Sequence, residues 1–88
     1  MDLQVYHSGT HSYISDVGTG NLKISGQVVE ILGVDDGAQD TMAVFTDNSS
    51  VDLYYNSVKK FNTKSDGVLI SGEMESTTLD VNGAANIL

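Results

Sequence analysis

Apolar residues fall two apart along most of the chain, the spacing that predicts short half-buried strands. Leu3-Gln4-Val5-Tyr6 begins an alternation, and His7-Ser8-Gly9-Thr10-His11-Ser12 interrupts it with turn formers. Tyr13-Ile14 is a short apolar step before a turn at Gly18-Thr19-Gly20-Asn21. Leu22, Ile24 and Val28 then share one face with Gly26 between them, while Lys23, Ser25 and Gln27 lie opposite, so a strand is expected here. At Val28-Val29 the apolar phase moves to Val29 and Ile31, which predicts a bulge or bend at that pair.

Gly33 to Asp40 has no apolar period and carries the turn signal Asp35-Asp36-Gly37, so it reads as a loop. Met42-Ala43-Val44-Phe45 reads as a strand closed by Asp47-Asn48-Ser49-Ser50. Val51, Leu53 and Tyr55 alternate with Asp52 and Tyr54, Asn56-Ser57 turns the chain, and Lys59 to Thr63 follows with Phe61 inward. Asp66-Gly67 signals a hairpin or tight corner. After it Val68, Ile70 and Met74 share a face with Gly72, and Leu79 and Val81 share another before Gly83. No window supports a helix of useful length.

One short pattern recurs: Leu22 to Gly26, Val68 to Gly72 and Leu79 to Gly83 each read apolar, any, apolar, Ser or Asn, Gly. Each is expected to be a two-contact strand ending at a glycine corner with positive φ. Such units suit sandwich hairpins, or rungs of a solenoid or an interlaced fibre. Their offsets are irregular, so they do not define a repeat period.

Composition sharpens the picture. Asp, Asn, Ser, Thr and Gly make up 41 of the 88 residues and Ala only 4, which favours turns and strands over helix. Leu, Ile, Val and Phe make up 24, enough for a folded chain but a thin core. There is no Cys, so neither disulfides nor a Cys-based zinc site can staple the fold, and no Pro or Trp. Twelve acidic residues against four lysines and no arginine give a net charge of −8. That field repels phosphate groups, which argues against nucleic acid and anionic membrane as partners. No apolar run approaches the length of a transmembrane helix or a signal-peptide core, so membrane insertion is not expected.

Candidate chemistry is sparse. His7 and His11 are four apart, but Ser8-Gly9-Thr10 between them favours loop histidines over a helical ligand pair. Asp35, Asp36 and Asp40 near Gly37 invite weak Ca²⁺ binding, although the alternate oxygen ligands and terminal Glu of an EF-hand loop are missing. Glu73 and Glu75 are a carboxylate pair on one strand face, where solvation is the expected state without a desolvating cleft. No Gly-x-Ser-x-Gly elbow occurs, and Gly18-Thr19-Gly20 precedes neither a helix nor a phosphate-binding lysine. No enzyme, metal or cofactor is expected. Tyr6, Tyr13 and Tyr54 are candidate glycan contacts, since an exposed ring can stack on a sugar.

The stretch from Val51 to Gly72 carries a more specific signal: Leu53-Tyr54-Tyr55-Asn56, then Lys59-Lys60-Phe61, Thr63, and Gly67-Val68 before Gly72. It resembles a motif of bacteriophage tail-fibre and related virion fibre proteins. The upstream runs Tyr6-His7-Ser8-Gly9 to Ser12-Tyr13-Ile14 and Gly18-Thr19-Gly20-Asn21-Leu22 are similar to segments that precede it in that family, in the same order, and Met42-Ala43 with Phe45 fits the strand between. A departure is Asn56-Ser57-Val58, where the family favours an Asp-Asn-Ser type of turn. The resemblance covers most of the chain and implies an elongated, homotrimeric, all-β fibre segment in the virion, extracellular when functional, with no catalytic residues. Its partners would be itself, other fibre or tail proteins and a host surface glycan.

The expected organisation is one β-rich segment over residues 1–88, with sub-segments 1–33, 41–65 and 66–88, and its motifs suggest a piece of a longer fibre chain. A single copy has too small a core to offset the ordering entropy of its residues. Leu22, Ile24, Leu53, Tyr55, Phe61, Val68 and Ile70 are therefore the expected core of a trimer, completed by three chains around an axis. The main alternative is a carbohydrate-binding module.

Overall fold

A computed structural model describes residues 2–35 and 37–84. It is all-β, with 52% strand, no helix among the described residues, and two antiparallel sheets. The first is a hairpin of β1 (Leu3–His7) and β2 (Ser12–Asp16). The second is a five-stranded meander in which β3 (Val28–Asp35), β4 (Ala38–Thr46), β5 (Val51–Tyr55), β6 (Val58–Lys64) and β7 (Gly67–Ile70) pair in chain order. Every strand in it pairs with its sequence neighbour, so each connection is a local hairpin and no crossover is needed.

The turns show why the chain reverses where it does. Asn56 and Ser57 both adopt positive φ, 48° and 68°, the two-residue type I′ geometry whose twist matches paired strands. Asn48 takes φ 59° in the four-residue turn between β4 and β5, which is closed by the Ser50 carbonyl accepting from the Thr46 N–H at 3.1 Å. In the first hairpin Gly9 supplies φ 106°, and the Ser8 hydroxyl accepts from the His11 backbone N–H at 3.1 Å.

Two irregularities set the sheet's shape. Ile31 pairs with Ala43 and Leu32 with Thr41, leaving Met42 of β4 as the extra residue of a bulge. Leu53 pairs with Phe61 and Tyr54 with Lys59, leaving Lys60 as the extra residue of β6. Beyond the Met42 bulge, β3 and β4 continue as a two-stranded arm past β5, which pairs only with Ala43 to Phe45.

Several sequence expectations are corrected. Residues 21–26 form no strand; β3 begins at Val28, so the alternation of Leu22 and Ile24 lacks a pairing partner. The bulge lies at Met42, opposite Ile31 and Leu32, and not at Val28-Val29. The segment Gly33 to Asp40 is a turn only at its tip, where Gly37 takes φ 82°; Gly33 pairs with Asp40 and Asp35 with Ala38, because cross-strand hydrogen bonds outweigh the turn propensity of the flanking residues. His7 is a strand residue, not a loop residue. Residues 73–81 contain no strand, so Met74, Glu73, Glu75, Leu79 and Val81 share no strand face. Among the three recurring motifs only Val68 to Gly72 is a strand ending at a positive-φ corner, Gly72 at 119°.

The sheet is a single layer. No apolar side chain is buried among the described residues, and the two sheets make no contact with each other. The radius of gyration is 17.8 Å, against about 12 Å for a compact domain of this length.

Candidate functional site

Opposite residues of an antiparallel pair point to the same side, so the register sorts the five-stranded sheet into two faces. Ile31, Ala43, Leu53, Phe61 and Ile70 are matched one to the next, a straight row across all five strands. Beside it run Val29, Phe45 and Val51, then Thr63 and Val68. Thr63 closes the gap by accepting from the Val51 backbone N–H through its Oγ1 at 3.0 Å, which satisfies the one polar atom of these two rows. Tyr55 and Val58 extend the same face toward the Asn56-Ser57 turn. These rows carry no charged side chain and centre on Leu53, which stays 42% exposed; on the same face Asp40 and Asp35 lie farther out, on the β3–β4 arm.

The other face is mixed. Its matching row is Glu30, Val44, Asp52, Asn62 and Leu69. Asp52 is only 8% exposed, the one buried residue among those described. Lys59 Nζ lies 3.5 Å from its Oδ2, while its Oδ1 is buried without a hydrogen-bond partner. The sequence pattern gave Asp52 as the outward member of an alternating strand; its enclosure by Val44, Asn62 and Lys59 depends on the pairing of three strands, which alternation alone does not encode.

Of the seven residues expected at a trimer core, the structure brings Leu53, Tyr55, Phe61, Val68 and Ile70 onto the apolar face. Ile24 joins them from the 17–27 connection, where it lines a shallow hollow of about 330 Å³ with Gly26, Val29, Phe45 and Val51. Leu22 is exposed in that connection, outside any strand. Sequence reasoning omitted Val29, Ile31, Phe45 and Val51 from this surface, although the Val29 and Ile31 phase and the strand at Phe45 were both legible.

The tyrosines divide. Tyr6 and Tyr13 are register partners in the first hairpin and stack with ring centroids 4.9 Å apart at 21°. His11 meets Tyr13 edge-on at 6.2 Å, and His7 Nδ1 hydrogen-bonds Ser12 Oγ at 3.0 Å. Val5 and Ile14 pair alongside, and a shallow groove of about 500 Å³ runs past both pairs. Tyr54 lies in the other sheet, on the same face as Asp52.

Nothing gathers a metal site: no group of three or more His, Asp or Glu side chains clusters among the described residues. Asp35 and Asp40 sit on paired strands of the projecting arm, and Asp36 lies outside the described residues. No helix of the structure is long and apolar enough to cross a membrane. No protein-family model, curated protein or solved structure matches the chain.

Proposed function

We propose that this chain is a structural segment of a bacteriophage tail fibre, a homotrimer that supports or presents host-cell attachment. The observation that carries the reading is the uncovered sheet: a single copy builds a five-stranded layer with two mainly apolar rows on one face, and no apolar side chain is buried among the described residues. A sheet with an apolar face buries that face against a second layer in a stable domain, and this one has none among the described residues. A chain without disulfides that is this extended gains that cover from partners. The tail-fibre assignment itself rests on the Val51 to Gly72 resemblance. In the structure that motif is a strand, a type I′ turn at Asn56-Ser57, a bulged strand and a tight return into β7. The virion, outside the cell, is the proposed location, with other fibre or tail proteins as neighbours.

Sedimentation velocity with light scattering on the purified chain tests this. A mass near three times 9.4 kDa is expected; a stable single-chain mass at micromolar concentration would remove the basis of the reading.

The Tyr6–Tyr13 stack favours a second reading, a carbohydrate-binding module for host glycans. Each ring turns one side to the other, which leaves the outer sides for a sugar. Binding on a glycan array that Tyr13→Ala abolishes would favour it; an array with no signal counts against it.

A further inference from the structure

Resting on the self-association reading, we infer that the face carrying Val29, Ile31, Phe45, Leu53, Phe61 and Ile70 is where copies of this chain meet, each copy touching two others. Three observations converge on a second copy as its occupant. The first is area. The chain exposes 7819 Å², against about 5,000 Å² for a compact monomer of its mass, an excess of about 2,800 Å². A standard pairwise interface takes only about 800 Å² from each partner. That excess belongs to the whole chain, hairpin and connections included, and it is larger than one standard contact takes, which leaves area for the two neighbours that a cyclic trimer gives each copy.

The second is charge. A chain of net charge −8 can approach itself closely only through a neutral patch. The two complete rows of this face contain no ionisable side chain; Asp40 and Asp35 share the face only on the projecting β3–β4 arm, beyond the rows, and Glu30, Asp52, Lys59 and Lys64 lie on the opposite face. The third is continuity. The rows run from edge strand β3 to edge strand β7 without a polar break other than Thr63, whose hydroxyl already binds Val51. A copy placed there covers rows whose one side-chain oxygen already accepts a hydrogen bond within the chain, which keeps the desolvation cost of the contact small.

The absence of cysteine allows a direct test by single-cysteine variants. Val68 and Leu69 are neighbours on β7, 54% and 48% exposed in one copy, and they point to opposite faces. Leu53→Cys, Val68→Cys and Leu69→Cys would be titrated with a thiol reagent under native conditions, with mass followed by light scattering. The expected result is free-thiol reactivity for Leu69→Cys and protection of about 100-fold for the other two, lost in denaturant. Loss of the trimer in Leu53→Cys while Leu69→Cys assembles normally also supports the surface. A trimeric mass with Leu53→Cys and Val68→Cys as reactive as Leu69→Cys overturns the surface and leaves the fibre reading standing. A single-chain mass for the wild type overturns both.

Discussion

Leu53→Ala probes the centre of the apolar face with a measurable shift. Full burial of a leucine side chain is worth about 1.5–3 kcal/mol. One copy leaves 42% of Leu53 exposed, so about 1 kcal/mol per copy is gained only when a neighbour covers it. Three copies make about 3 kcal/mol per trimer, or about 150-fold in the dissociation constant. For three identical chains the midpoint concentration varies as the square root of that constant, so it should rise by about tenfold. A cavity that neighbours fail to fill would raise the shift toward about 100-fold. The assay is sedimentation over a dilution series, with Leu69→Ala as the control. Leu69 is as exposed in one copy but lies on the other face. An unchanged midpoint for Leu53→Ala, or an equal shift for Leu69→Ala, refutes the placement of the interface.

Other expectations follow from the turns, the buried carboxylate and the histidines. Ser57→Gly should stabilise the chain by about 1 kcal/mol, because Ser57 pays the side-chain cost of φ 68° that glycine avoids; a lowered melting temperature would contradict the type I′ assignment. Asp52→Val should gain about 1 kcal/mol in denaturant unfolding by removing a buried oxygen that lacks a partner. Lys59, 45% exposed, returns to solvent at little cost. A loss of stability on that substitution would show that Asp52 has a partner in the assembly. EDTA should leave the melting temperature unchanged, and a drop of several degrees would point to a bound cation at Asp35 and Asp40 or at the histidines.

Legibility in the sequence followed the range of the interactions. The β5–β6 hairpin was readable because each determinant is local: Val51, Leu53 and Tyr55 alternate, and Asn56-Ser57 accepts positive φ. The β6–β7 return was readable from Asp66-Gly67 for the same reason. The expected strand at Leu22 to Val28 failed on a non-local requirement. Its alternation is real, and its end pairs, Gln27 O with the Asp47 N–H and Val28 with Thr46, but residues 21–26 lie beside no strand that would extend the ladder. Gly33 to Asp40 failed in the opposite sense, since strand pairing extends through residues whose local preference is to turn. Met42 as the bulged residue was also hidden. The missing Cβ of Gly33 faces Met42, whose sulfur lies 3.4 Å from where that atom would sit, and this contact exists only once β3 and β4 are in register. For the candidate site, five of seven expected core residues reached one face through period-two spacing. The stacking of Tyr6 on Tyr13 needed the hairpin register, which spacing alone leaves open.

Two adjacent residues of β5 bear on the proposal that closure comes from outside the single chain. Asp52 is 8% exposed and Leu53 is 42% exposed, the reverse of their hydrophobic order. In a self-contained domain the central leucine of a five-stranded sheet is buried, and the central aspartate faces water. Covering the Asp52 face would desolvate the exposed charges of Glu30 and Lys59, at several kcal/mol per ion, around an aspartate already buried, and would repeat that cost in every copy. Covering the two rows around Leu53 desolvates apolar side chains and a threonine already hydrogen-bonded to Val51, and it leaves Asp35 and Asp40 outside, on the β3–β4 arm. In the proposed trimer the favourable direction of assembly is therefore set within one strand: copies would add on the side of Leu53 and leave the side of Asp52 toward solvent.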